Sequence, residues 1–260
     1  MLGAIRRGFG LARRIGVPER RLSILRPEAD LVYAIGDVHG CLDQLIALEA
    51  MIAADAAALS AERRLIVLLG DLVDRGPASA GVIGHLLAPP PAGFERLVLR
   101  GNHELAFLAF LDAPERTAFW LTQGGMETLA SYGLSPGSRF AGAGLRGLAA
   151  AAQSVIPAEH IAFLRGLPVA ALWDGFVLVH AGLRPGVPIE AQSERDLTEI
   201  REPFLSATEP LGAVVVHGHT PQREPSFDGR RIGIDLGCFA TGRLCAVRLG
   251  DGPPRFLVAE

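Results

Sequence analysis

The chain has 260 residues, of which 49% are apolar and 20% charged, and its formal net charge is −3. This composition excludes a disordered chain and fits one large α/β domain with a full core. No apolar run approaches the roughly 20 residues of a membrane span. The three cysteines, Cys41, Cys238 and Cys245, form no CxxC pair. We therefore expect a cytoplasmic protein without a transmembrane segment, and no nucleic-acid partner.

Charge is distributed unevenly along the chain. All 25 basic residues are arginine, and residues 1–28 contain seven of them against two glutamates. We interpret 1–28 as a basic N-terminal arm and 29–260 as the main domain. Paired arginines beside Leu, Ile and Phe could make a weak contact with an anionic surface. Four glycines between residues 3 and 16 disfavour a helix there, which favours a loosely packed arm.

Short apolar runs, typical of buried strands, recur along the rest of the chain, and five of them end in a polar motif. The runs and motifs are 31–35 before GDVHG (36–40), 65–69 before GDLVDRG (70–76), 97–100 before GNHE (101–104), 176–179 before HAG (180–182), and 213–216 before HGHT (217–220). Apolar residues at helical spacing predict helices over 41–53, 78–87 and from 104 onward.

The remaining segments complete the predicted fold. Residues 112–172 carry no such motif and are interpreted as a helical insertion, in which the stretch around Trp120 serves either packing or a lid over the substrate. Runs at 177–179, 214–216, 232–234 and 244–249 predict strands of a second sheet. The expected class is α/β, a two-sheet β-sandwich flanked by helices.

The motifs supply oxygen and imidazole groups without thiolate. Ligands gather at strand ends in open α/β sheets. The candidate metal ligands are Asp37, His39, Asp71, Asn102, His180 and His219. Such a set suits Mn²⁺, Zn²⁺ or Fe. Six groups exceed the needs of one tetrahedral ion, so we expect two divalent ions that share Asp71. Paired ions about 3.5–4 Å apart can clamp the attacking and leaving oxygens of a displacement at phosphorus.

The motif series GDVHG, GDLVDRG, GNHE, HAG and GHT resembles the calcineurin-like metallophosphoesterases, in particular the bacterial phosphoprotein (serine/threonine) phosphatase type, over roughly residues 31 to 240. The resemblance implies that Asp37, His39 and Asp71 hold one metal. It implies that Asp71, Asn102, His180 and His219 hold the other. Manganese is the expected metal, with iron or zinc as alternatives, and a hydroxide bridging the ions is expected to attack the phosphate directly.

Further roles follow from the same resemblance. Arg75 and Arg201 are expected to hold phosphate oxygens with their planar guanidinium groups, and Asn102 to contact the substrate as well. His103, oriented by Asp74, is expected to protonate the leaving alkoxide as a general acid.

Other polar residues near the motifs receive structural interpretations. His85 and His160 are interpreted as structural, and His217 as structural or as a support behind the ligands. Glu104 is interpreted as a helix cap. Asp235 lies in GIDLG where the family usually reads Asp-Thr-Gly, so we expect no polar role for it.

The predicted substrate is a phosphate monoester, foremost phosphoserine or phosphothreonine in proteins. The alternative is a dinucleoside polyphosphate, as in the symmetrical diadenosine tetraphosphate hydrolases, which tend to read Val-Ala-Arg-Gly where this chain has Val73-Asp74-Arg75-Gly76. An alkoxide needs an oriented acid and a phosphate leaving group does not, so Asp74 favours the monoester. A third hypothesis is a catalytically silent protein that binds phosphorylated partners.

Overall fold

The computed structural model describes residues 22–134, 142, 144–250 and 252–260. Its strands are β1 (Ile24–Leu25), β2 (Leu31–Ile35), β3 (Arg64–Leu68), β4 (Phe94–Val98), β5 (Ala170–Trp173), β6 (Phe176–Val179), β7 (Val214–His217), β8 (Ser226–Phe227), β9 (Arg231–Gly233), β10 (Leu244–Leu249) and β11 (Arg255–Ala259). Its helices are α1 (Leu42–Ala56), α2 (Ser79–Leu87), α3 (Asn102–Asp112), α4 (Gly125–Ser131), α5 (Gly144–Val155), α6 (Ala158–Gly166), α7 (Glu194–Glu199) and α8 (Cys238–Thr241), with 3-10 turns at Ala118–Gln123 and Ile189–Ala191.

The described strands form two mixed sheets. One has the order β11-β10-β2-β3-β4 and the other β1-β5-β6-β7-β9-β8. Side chains alternate between the faces of a strand. Val32 and Ala34 of β2 accordingly pack in the core between the sheets with Leu178 and Val216 of the second sheet. Residues 31, 33 and 35 lie in the core that includes the apolar faces of α1, α2 and α3. The predicted α/β two-sheet class is confirmed.

β10 lies in the first sheet, and the prediction that placed 244–249 in the second sheet was wrong. Its residues pair antiparallel with β2, Ala246 opposite Ile35 and Leu249 opposite Val32. Both faces of β10 are apolar, so its hydrophobic pattern could not indicate which sheet it joins. The chain crosses back to β2 through α8, which begins and ends beside glycines with left-handed backbone, Gly237 (φ 64°) and Gly242 (φ 73°).

The two predicted segment boundaries overlap strands. Residues 1–21 of the basic arm lie outside the described residues, but β1 pairs in parallel with β5, Ile24 opposite Ala170. The sheet therefore begins before the predicted boundary at residue 28. The predicted insertion 112–172 contains a 3-10 turn and helices α4, α5 and α6 before β5 begins at Ala170. Within the described ranges, no helix combines the length and apolarity needed to cross a bilayer.

Candidate metal centre

The predicted ligands follow the carboxyl ends of strands from both sheets. β2, β3 and β4 run parallel, as do β6 and β7, so each group of motifs emerges at one sheet edge. Asp37, His39, Asp71 and His180 are at most 3% exposed. Burying so many polar groups is costly unless they are paired or bind an ion.

Asp71 lies at the middle of this cluster. Its Oδ2 is 3.5 Å from His39 Nε2 and 3.3 Å from His180 Nε2. Two sets of potential ligand atoms, each within 4.8 Å of one another, are formed by His39, Asp71 and His103 and by Asp71, His180 and His219. Asp71 belongs to both sets, as expected of a carboxylate shared by two cations.

Hydrogen bonds orient two of the imidazoles toward Asp71. His39 Nδ1 lies 2.8 Å from the Val73 carbonyl oxygen, and His180 Nδ1 lies 3.1 Å from that of Leu69. A carbonyl only accepts, so Nδ1 carries the proton in each ring and the Nε2 lone pair is directed inward, the arrangement common in metal sites. Burial lowers the pKa of His39 to about 3, so this imidazole is neutral.

His219 and Asp37 meet on the other side of the cluster. Asp37 accepts a hydrogen bond from the His219 backbone N–H at 3.1 Å. His219 Nε2 is buried and has no hydrogen-bond partner among the described residues, and burial lowers the pKa of this ring to about 3. A Cβ on Gly218 would lie 2.0 Å from Asp37 Oδ1, so only glycine allows this close approach.

The negative charge around Asp37 is not neutralised by its neighbours. Burial, and then the charges of Asp235 and Asp71, raise the pKa of Asp37 well above its ordinary value. Repelling buried carboxylates, inward-directed imidazole lone pairs and an unpartnered His219 Nε2 all fit divalent cations. Bound ions would supply charge for binding phosphate oxygens and would lower the pKa of a water molecule.

Backbone strain is concentrated in the motifs. Among the described non-glycine residues, six have positive φ, and five of these lie in the motifs: His39 (43°), Asp71 (49°), Asp74 (74°), Arg75 (68°) and His219 (61°). Such conformations cost about 1–3 kcal/mol each and persist where the surroundings fix them, commonly at functional sites.

His103 and Asp74 form a buried dyad beside Asp71. His103 Nδ1 lies 2.7 Å from Asp74 Oδ2, which also accepts from Trp120 Nε1 at 2.7 Å. Thr128 Oγ1 donates to Asp74 Oδ1 at 2.6 Å. Trp120 and Thr128 belong to the predicted insertion, so this segment fixes the carboxylate that orients His103. The sequence predicted only packing or a lid for the Trp120 stretch. Trp120 and Thr128 lie 46 and 54 residues from Asp74, so no local pattern indicates these hydrogen bonds.

Two arginines border the cluster. Arg75 Nη1 is 2.9 Å from His39 Nε2, and its Nη2 is 3.0 Å from His103 Nε2. Arg201, which is exposed, donates to the His219 carbonyl at 3.3 Å. Asn102 Oδ1 lies 3.0 Å from His180 Nε2. All the residues predicted for phosphate binding therefore lie next to predicted ligands.

Glu104 does more than cap α3. Its carboxylate accepts from the backbone N–H groups of Gly101 (2.8 Å) and, across the sheet edge, Asp71 (2.9 Å) and Leu72 (2.7 Å). It thereby ties the second motif to the third. The capping interpretation did not include this second function, because Glu104 and Asp71 are 33 residues apart in the sequence.

We expect Glu104→Ala to destabilise the fold strongly. It would leave four buried backbone N–H groups, those of Gly101, Asp71, Leu72 and Val73, without their acceptor, at about 1–3 kcal/mol each, so the free energy of unfolding should fall by more than about 3 kcal/mol. Urea denaturation measures this, with Glu159→Ala in the exposed first turn of α6 as the control. Equal stability of the two variants would contradict this function for Glu104.

The residues interpreted as structural have local partners. His217 is buried with its ring 5.1 Å from Phe204, and burial lowers its pKa to about 4. His85 pairs with Glu49 at 2.7 Å, and His160 Nδ1 lies 2.8 Å from the Tyr132 hydroxyl. Asp235 departs from the expectation of no polar role. It is buried, accepts from Gly237 N–H at 2.8 Å and raises the pKa of Asp37.

One carboxylate lies between two sets of donor atoms at adjoining sheet edges, and arginines lie beside it. This is the geometry of a metal-dependent phosphoester hydrolase. Residues 31–248 match the family described as calcineurin-like phosphoesterases, and the chain belongs to that family. It is 28% identical over 82% of its length, and 88% of the relative's, to the asymmetrical bis(5'-nucleosyl)-tetraphosphatase PrpE of Geobacillus thermodenitrificans. It is 30% identical over 82% of its length, and 63% of the relative's, to the symmetrical bis(5'-nucleosyl)-tetraphosphatase of Yersinia enterocolitica.

Solved structures share the fold. A putative diadenosine tetraphosphatase superposes with a TM-score of 0.63 at 23% identity, covering 92% of this chain and 99% of that one. A Saccharomyces cerevisiae protein serine/threonine phosphatase gives a TM-score of 0.52 at 15% identity, covering 93% of this chain and 84% of that one. The predicted family is confirmed, and the enzyme is a metal-dependent phosphoester hydrolase. These matches do not favour a serine/threonine phosphatase over a dinucleoside polyphosphate hydrolase.

Proposed function

We propose that the protein hydrolyses dinucleoside polyphosphates, with a preference for this class over phosphoproteins. The observation that carries the proposal is the identity of 28–30% over 82% of the chain to two bis(5'-nucleosyl)-tetraphosphatases. It reverses the order of the sequence-based prediction, in which the phosphomonoester came first. A cytoplasmic location and manganese remain predictions.

The proposed centre holds two divalent ions. Asp37, His39 and Asp71 would hold one, and Asp71, Asn102, His180 and His219 the other. When bound, these ions would neutralise phosphate charge and provide an activated water molecule. The protein's own contribution is positioning. Arg75 and Arg201 border the two ends of the ligand cluster, so a polyphosphate chain could be held by planar guanidinium groups on both sides of Asp71.

A second candidate is hydrolysis of phosphate monoesters, supported by the His103–Asp74 dyad. A buried imidazole oriented by a carboxylate can protonate an alkoxide as it leaves. A nucleotide leaving group ends in a phosphate oxygen and needs no such proton. The dyad is therefore the observation that keeps the monoesterase in consideration.

The test compares kcat/KM for diadenosine tetraphosphate and for a phosphoserine peptide on one Mn²⁺-supplemented preparation. We expect the dinucleotide to be preferred by at least tenfold. Chromatography of the products then distinguishes asymmetrical cleavage to ATP and AMP from symmetrical cleavage to two ADP. Preference for the phosphopeptide would reject the proposal in favour of the monoesterase. Binding of metals with no turnover of either substrate would favour a silent binding protein.

A further inference from the structure

Phe239 is an exposed aromatic residue at the edge of the ligand cluster. It lies in α8, the short helix that follows β9 and the buried Asp235. Its side chain is 42% exposed, whereas the preceding Cys238 is 2% exposed. Thr241 Oγ1 donates to the Leu236 carbonyl at 2.9 Å. The helix is thus anchored on its inner side and presents Phe239 outward.

The ring contacts residues of the proposed site directly. Arg75 Cζ lies 4.9 Å from the ring centroid, within the range of a cation–π contact. The His39 ring lies 5.4 Å away at an interplanar angle of 85°. Phe239 therefore borders both the arginine expected to hold phosphate and a predicted metal ligand.

An exposed phenyl ring in this position adds nothing to the chemistry at phosphorus. Its neighbours are polar, and a large fraction of its apolar surface stays in water. A nucleobase covers such a surface well, because every base has a π face that can stack on an aromatic side chain. One ribose joins the base of a nucleotide to its phosphate, and Arg75 lies against the ring, so one nucleotide can contact both residues.

We infer that Phe239 is a stacking platform for a nucleobase of the substrate, next to the phosphate held by Arg75. The inference rests on the proposed hydrolysis of dinucleoside polyphosphates and extends it to a named base-binding position. Stacking of this kind tolerates any base, so the platform selects nucleotides over bare polyphosphates and leaves the choice among bases open.

The competing explanation is that Phe239 only positions Arg75. The two differ in which ligand they affect. A stacking platform strengthens binding of AMP and ADP but not of orthophosphate and pyrophosphate. A support for Arg75 strengthens binding of all four, since each presents phosphate oxygens to the guanidinium.

The experiment measures inhibition constants of these four compounds against p-nitrophenyl phosphate hydrolysis with Mn²⁺. The variants are Phe239→Leu, which removes the ring, and Phe239→Trp, which keeps an aromatic face. Phe227→Leu is the matched control, because Phe227 is 47% exposed on β8. Thermal unfolding and metal content are recorded for each variant.

We expect Phe239→Leu to raise the inhibition constants of AMP or ADP by about tenfold or more. Those of orthophosphate and pyrophosphate should stay within about twofold, and Phe239→Trp should bind nucleotides at least as well as the wild type. Parallel rises for nucleotides and inorganic phosphates, or no rise for either nucleotide, would overturn the inference. The reporter is an aryl phosphate, so these constants can be measured even if diadenosine tetraphosphate is not a substrate. If the enzyme does not hydrolyse diadenosine tetraphosphate, the proposed function is rejected separately from the role of Phe239.

Discussion

Asp71→Asn is expected to lose metal and at least about 100-fold of its activity. Asp71 Oδ2 lies within 3.5 Å of the Nε2 atoms of both His39 and His180, and Asp71 alone belongs to both donor sets. Asparagine has nearly the same shape but removes the negative charge that two cations would share. Replacing a residue that only supports a metal ligand already lowers metal affinity or activity by about 10–100-fold. Replacing a ligand shared by two ions should lower them further.

The measurement is the number of metal ions per chain by elemental analysis after gel filtration, together with kcat on p-nitrophenyl phosphate at saturating Mn²⁺. Asp55→Asn is the control, because Asp55 is a partly buried carboxylate that pairs with Tyr33 and Arg248 away from the motifs. It should retain both ions. An Asp71→Asn protein with two ions and full turnover would show that Asp71 is not shared.

The ligand cluster could be predicted from sequence because each member is adjacent to a strand end. A run such as Leu31–Ile35 fixes where the backbone emerges, and the glycine-rich motif after it fixes which side chain faces the sheet edge. Because β2, β3 and β4 are parallel, the motifs that follow them lie at the same edge of the sheet. The same local logic located α1 to α3 within a few residues.

Interactions between distant segments could not be predicted in this way. Trp120 and Thr128 reach Asp74 from an insertion whose sequence shows only helical spacing and glycines. Phe239 lies in a stretch that departs from the family pattern at Leu236, so the resemblance assigns it no role. The placement of β10 depends on a crossover, and its hydrophobic residues would satisfy either sheet. In each case the deciding contact joins residues that no local pattern relates.

His103→Ala is expected to keep both metals and to slow hydrolysis of an alkyl phosphate by about 10²–10⁴-fold. p-Nitrophenyl phosphate, whose leaving group is already acidic, should slow far less, and so should diadenosine tetraphosphate, whose leaving group is a phosphate. The expected difference follows from the dyad: Asp74 is fully buried, holds His103 Nδ1 at 2.7 Å and is fixed by Trp120 and Thr128. Asp74→Asn should show the same pattern more weakly, and His160→Ala should show none of it.

The pH dependence provides an independent check on the same role. Burial lowers the pKa of His103, but without bound ions the charge of Asp71 and the hydrogen bond with Asp74 outweigh this effect and raise the pKa above its ordinary value. Bound cations would offset the charge of Asp71 and leave Asp74 as the raising partner. The protonated acid is present below that pKa, and alkyl phosphate turnover should fall as the pH rises through it. Asp74→Asn removes one partner that raises the pKa of His103 and should move this descending limb to lower pH.

His103 also lies among the potential metal donors, with Nε2 3.9 Å from Asp71 Oδ2. Loss of an ion in His103→Ala, with equal slowing of alkyl and aryl phosphates, would make His103 a ligand and remove it from the acid role.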